Sequence, residues 1–179
     1  MTAITTEFVC HWAANYDRHY RGTLDEKVET HLREWLAALP EPKYLDMEHF
    51  VCLCRWKTPR QTSAYKSNDA TLVEEATRLA YVVQNEYLKL HVLLALRGVG
   101  VPVASTILHF LLPGAFPIFD VHARGTLAKV GTWTRSVGDA RADAWMEYVA
   151  IMRKIAHAAG VGLRELDKAL YAYDKWGEP

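Results

Sequence analysis

Apolar residues recur at i, i+3 and i+4 along nearly the whole chain, while the period-two alternation of a half-buried strand is almost absent. That periodicity restricts the fold to helices, and an all-α, compact helical domain is expected. With 179 residues, half of them hydrophobic, the chain can bury a sizeable core, which excludes disorder as its main state. Neither a linker, a repeat nor a low-complexity tract divides it, so residues 1–179 are read as one domain. No apolar run reaches the roughly 18 residues that span a bilayer. The opening residues lack the basic start and apolar stretch of a signal peptide. Three cysteines, Cys10, Cys52 and Cys54, are too few for a disulfide framework. A cytoplasmic monomer without membrane contact is the expectation.

Amphipathic patterning places helices over 7–19 and 24–39, the second stopped by Pro40 and Pro42. Asp46 is placed to cap a helix that ends before Pro59. Asn68 or Asp69 caps one over 71–85, whose Leu72, Ala76, Leu79, Ala80 and Val83 form an apolar stripe. A helix over 86–96 stops at Gly98-Val99-Gly100, where both glycines are expected to take the positive φ that other residues resist. Pro102 stands in the first turn of the next helix, over 102–112, where a missing N–H costs nothing. Asp120 precedes a helix over 121–130 at an N-cap position. Asp139 is expected to begin an alanine-rich helix that Gly160 closes, and a last helix covers 163–173.

The formal net charge is zero, so any case for a nucleic-acid partner rests on distribution rather than total. Residues 25–48 carry seven acids and three bases, whereas 49–67 carry Arg55, Lys57, Arg60 and Lys66 with no acid. Between 87 and 138 five bases accompany a single carboxylate, Asp120. A lone acid in such a field either caps a helix or takes part in chemistry. The Gly98-Val99-Gly100 turn leaves two readings open. It is a tight helix–helix connection, or its amides, at the positive end of a helix dipole, hold a phosphate.

The longer string, Leu96-Arg97-Gly98-Val99-Gly100-Val101-Pro102-Val103-Ala104, is followed by Phe116-Pro117-Ile118-Phe119-Asp120-Val121-His122-Ala123-Arg124. Together they resemble the helix-hairpin-helix (HhH-GPD) DNA glycosylase superfamily. Eighteen positions separate Pro102 from Asp120, as in that family, and the likeness covers about residues 71–130. The resemblance implies a hairpin at about 86–112 whose Gly98, Val99 and Gly100 hold a phosphate of double-stranded DNA. It implies that Asp120, in the loop and helix of 113–130, is the catalytic carboxylate acting on a flipped base, with His122 supporting it from behind.

Two departures refine the expectation. Arg97 replaces the usual proline before the first glycine, and Pro102 stands where lyase-active members carry a lysine nucleophile. Proline has no amine with which to form a Schiff base, so a monofunctional DNA glycosylase is expected, hydrolysing the N-glycosidic bond of a damaged or modified base without AP-lyase activity. Lys57 or Lys66, from another helix, is the substitute nucleophile the sequence offers. The four cysteines that hold an iron–sulfur cluster in some members have no counterpart, because none follows Cys54. No metal cofactor is expected, and a monovalent cation on hairpin carbonyls is what the resemblance allows. Two alternatives stand beside this reading: a non-enzymatic helix-hairpin-helix DNA-binding protein, and a glycosidase acting on free nucleosides. Under the DNA readings the protein associates with the nucleoid.

Arg55-Trp56-Lys57-Thr58-Pro59-Arg60 sets an aromatic ring among cations, the mixture that stacks a base or holds phosphates. Lys57, Arg60 and Arg97 are therefore candidate DNA contacts, and Trp56, Tyr65 and Asn68 candidate base-pocket residues. Against this stands a helix end with its Trp in the core. His91 and His109 read as core or boundary histidines. Cys10-His11 and Cys52-x-Cys54 lack the partners of a zinc site.

Overall fold

The computed structural model describes residues 3–177; Met1 and Thr2, where the signal-peptide reading begins, lie outside them. The chain is all-α. Its helices are α1 (Thr6–Tyr20), α2 (Leu24–Ala38), α3 (Met47–Lys57), α4 (Thr62–Lys66), α5 (Ala70–Val82), α6 (Glu86–Leu94), α7 (Val101–Leu111), α8 (Val121–Lys129), α9 (Ala142–Ala159) and α10 (Leu163–Trp176), with a 3-10 turn at Pro59–Gln61. No strand occurs among the described residues, and none of their helices is long and apolar enough to cross a membrane. They form two compact units, residues 22–113 and residues 3–21 with 114–177.

Helix starts follow side-chain chemistry. The first N–H groups of a helix have no intrahelical acceptor, and a short polar side chain supplies one. Thr5, Thr23, Asp46, Asp69, Asn85 and Asp120 each do so, accepting from Phe8, Glu26, His49, Leu72, Leu88 and His122. At the other end of α9, Gly160 turns the chain at φ 62°.

The Gly22–Pro113 unit is built around α7. Ten of its eleven residues are buried, so apolar neighbours must surround it, and α2, α3, α5 and α6 do. Its interior hydroxyls are satisfied locally, with Ser105 and Thr106 donating to the Pro102 carbonyl at 2.8 and 2.9 Å. His109 accepts from Arg33 at 3.1 Å. Helix α5 is rotated from the expected stripe. Val73, Ala76, Thr77 and Ala80 face inward, while Leu72 and Leu79 remain 45% and 46% exposed. The Thr77 hydroxyl decides this orientation, since it accepts the Leu45 N–H at 2.9 Å and donates to the Val73 carbonyl at 2.8 Å. Small Ala76 and Ala80 then allow close approach.

In the other unit α10 packs against α1, α8 and α9. Its contact with α1 is an aromatic seam, with Phe8 and Trp12 meeting Tyr173 at 5.1 and 5.3 Å and Tyr16 meeting Tyr171 at 5.5 Å. Helix α9 starts at Ala142 rather than Asp139. Asp139 stays in the preceding loop because its carboxylate is taken up by Arg141, at 3.0 Å, and by Arg135, at 3.2 Å. Arg135 also pairs with Glu147 at 2.6 Å and Asp143 at 2.9 Å, which ties the loop to α9.

Hydrogen bonds from Arg141, and then from Arg135, hold the Asp139 carboxyl well below its ordinary value of 3.8. A carboxyl depressed in the folded state stabilises it above that ordinary value, and the contribution disappears as the pH falls through the folded one. Thermal unfolding followed from about pH 5 to about pH 2 should therefore show a smaller acid-side loss for Asp139→Asn than for the unaltered protein.

Candidate functional site

The segment leading into α8 is gripped on both sides. Asp167, buried on α10, accepts the Ile118 N–H at 2.9 Å. Tyr148, fully buried on α9, has its hydroxyl 3.1 Å from the Ile118 carbonyl and 3.3 Å from Asp167 Oδ1. Burial, and next the Asp167 charge, push the Tyr148 phenol well above its usual range, so it acts as a neutral donor. Arg153 holds the Ala115 carbonyl through two N–H groups at 2.8 and 3.2 Å. Asp120 follows directly. Its Oδ1 accepts the His122 N–H at 2.8 Å, and its carbonyl accepts the Arg124 N–H at 3.1 Å.

A buried cation stands beside Asp120. Arg124 is 3% exposed, its guanidinium 4.0 Å over the Phe119 ring, with Nε donating to the Asp120 carbonyl at 3.3 Å and Nη1 to the Asp139 carbonyl. Burial lowers its pKa, and the carboxylates of Asp120 and Asp139 oppose that shift.

His122 Nδ1 donates to Asp174 Oδ2 at 2.9 Å, and Lys129 pairs with Asp174 Oδ1 at 3.0 Å. Gly125 makes room for this carboxylate, because a Cβ there would lie 2.7 Å from Asp174 Oδ1. The region that is free of other acids in sequence is thus supplied in space with Asp139, Asp167 and Asp174.

In the Gly22–Pro113 unit, the turn between α6 and α7 rests on α4. Gly98 has φ +82°, and a Cβ on it would lie 2.9 Å from two ring carbons of Tyr65. Asn68 clamps the same turn, accepting the Arg97 N–H at 2.7 Å and donating to the Arg97 carbonyl at 3.1 Å. Gly100 departs from the expectation. It is extended at φ −96°, ψ 175°, because it serves as the N-cap of α7, and no side chain caps that helix. The Val99 N–H is bonded to the Leu96 carbonyl at 3.1 Å, and the Val99 side chain is buried.

The remaining candidates sort by exposure and partner. Arg60 and Arg97 are exposed and Lys57 is half-buried. Trp56 is half-buried, donating to the Asp25 carbonyl at 3.1 Å and meeting Phe110 edge-on at 5.5 Å. Tyr65 is fully buried, and burial pushes its phenol up to about 12. With Asn68 it supports the turn from inside. Lys89, whose Nζ donates to the Ala80 and Tyr81 carbonyls at 3.0 and 2.9 Å, contributes its charge to the end of α5. Among the described residues no group of three or more His, Cys, Asp or Glu side chains is disposed to hold a metal. Asp167, Asp174, Gly125 and Tyr148 carry no local sequence signal that sets them apart. Their roles arise from pairings such as His122 with Asp174, 52 positions apart.

The sequence matches no family model, and no curated protein or solved structure is significantly similar to it. The turn itself yields a direct comparison. Gly98→Ala should lower the unfolding free energy by about 1–3 kcal/mol, because it adds backbone strain to a close contact with Tyr65. Gly100→Ser should change it by no more than about 0.5 kcal/mol, since serine is a favoured N-cap with extended backbone. Urea midpoints of the two variants check both outcomes.

Proposed function

We propose that this protein is a monofunctional DNA base-excision glycosylase in which Asp120 is the catalytic carboxylate. The observation that carries the reading is the setting of Asp120: an N-cap carboxylate oriented by the His122 N–H at 2.8 Å beside the buried Arg124. When a base leaves C1′, the sugar becomes oxocarbenium-like, and a fixed anion at that carbon stabilises the developing cation. The amides at the start of α7 take a DNA phosphate, helped by exposed Arg97 and Arg60. Base flipping brings the glycosidic bond within reach of such a site.

Lyase chemistry is absent from the proposal. Pro102 has no amine, and the two lysines between 87 and 138 are engaged, Lys89 with carbonyls and Lys129 with Asp174. The products are therefore a free base and an intact strand with an abasic site. A helix-hairpin-helix binding module without catalysis is the second reading, and it is favoured by the completeness of the Asp120 cap. In that case the carboxylate serves as the cap of α8 and carries no chemistry.

Asp120→Asn separates the two. Asparagine caps a helix about as well, so folding and DNA affinity should persist, while single-turnover excision should fall by on the order of a hundred- to a thousand-fold. An asparagine variant that excises at the unaltered rate leaves the binding module in place of the enzyme. Affinity for duplex DNA should also fall with salt, at a log–log slope of about 0.9 per phosphate neutralised, whichever reading holds. Binding indifferent to salt counts against both.

A further inference from the structure

His122 of α8 pairs with Asp174 of α10. Asp174 is held from two directions. Its Oδ1 lies 3.0 Å from Lys129 Nζ and its Oδ2 lies 2.9 Å from His122 Nδ1. The missing side chain at Gly125 is what admits it to α8, and the Tyr171 ring meets the imidazole edge-on at 4.9 Å. A carboxylate has no proton to give, so in the neutral ring the Nδ1 atom carries the hydrogen and Nε2 is left as the base. The His122 side chain is 38% exposed. Its own N–H donates to the Asp120 carboxylate, so both functional groups belong to the first turn of α8.

We infer that His122 is the general base of the excision step and that Asp174 is its positioning residue, an inference that rests on the glycosylase reading above. As the C1′–N bond breaks, its electron pair leaves with the base. A water oxygen bonds to C1′, and His122 Nε2 takes one proton from that water. The imidazolium, paired with Asp174, then returns the proton to the departing base, so water is the only co-reactant. Asp120 remains an anion throughout and stabilises the sugar cation. Two roles are thereby divided between two residues: Asp120 stays an anion, and His122 carries the proton. Asp174 and Tyr171 of α10 meet the imidazole directly, while Lys129 bonds the far oxygen of Asp174 and Asp120 bonds the His122 backbone N–H. The Tyr171 hydroxyl is bonded to Tyr20 at 3.0 Å and to Lys175 at 2.8 Å.

The test combines nitrogen NMR of the His122 ring with single-turnover excision against pH, using a lesion duplex that the unaltered protein processes. The neutral ring should carry its proton on Nδ1, and Asp174→Asn should turn this into a tautomer mixture. The excision rate should show an acid limb, as general-base catalysis does. His122→Gln should flatten that limb and lower the rate by on the order of a hundred-fold or more, with melting temperature and DNA affinity unchanged. Gly125→Ala, which displaces Asp174 while leaving both functional groups present, should lower the rate and loosen the tautomer preference together. A ring protonated on Nε2, or a His122→Gln protein that keeps both rate and acid limb, overturns the inference and leaves Asp120 untouched. Failure of the unaltered protein to release a base from any duplex overturns the glycosylase reading, and this inference with it.

Discussion

An α-helix begins with N–H groups that nothing inside it can accept, and the protein meets this constraint in opposite ways at the two helices that matter most. Helix α8 is closed by a carboxylate of its own, Asp120. Helix α7 begins on Gly100, which has no side chain to offer. One start therefore holds a fixed negative charge, and the other has no side-chain cap. Much of the surrounding structure serves these two ends. Asp167, Tyr148 and Arg153 fix the segment before Asp120, and Tyr65 and Asn68 fix the turn before Gly100.

What was legible in the sequence was local. Asp46, Asp69, Asp120 and Gly160 each act within a few residues along the chain, so cap chemistry and periodicity locate them. The short helix α4 carries no apolar stripe of its own and is positioned by Tyr65 beneath the Gly98 turn, so periodicity passes over it. The face presented by α5 depends on a hydroxyl finding the Leu45 N–H, 32 positions away. Hydrophobicity alone would have turned Leu72 and Leu79 inward. Asp139 has the chemistry of an N-cap, yet two arginines claim its carboxylate first.

The electrostatic setting of Asp120 was less accessible for the same reason. A window with one carboxylate in sequence suggests an isolated anion, but folding brings carboxylates from α10 and the loop before α9 to the same region. They do not crowd Asp120 with uncompensated charge. Asp139 is paired with Arg135 and Arg141, Asp174 with Lys129 and His122, and Asp167 accepts a backbone N–H and a phenol. Buried Arg124 adds a cation that bonds the Asp120 carbonyl, and the His122 N–H orients the Asp120 carboxylate.

The most direct measurement of the central claim uses the unaltered protein and a panel of duplexes, each carrying one damaged or modified base. Strands are scored for breaks after alkali, with a parallel sample treated with borohydride. The account predicts alkali-labile sites at one class of base, with no break before alkali and no protein–DNA adduct trapped by borohydride. A trapped adduct would place a lysine nucleophile in the reaction. The absence of any alkali-labile site across the panel at stoichiometric protein would contradict the account at its root.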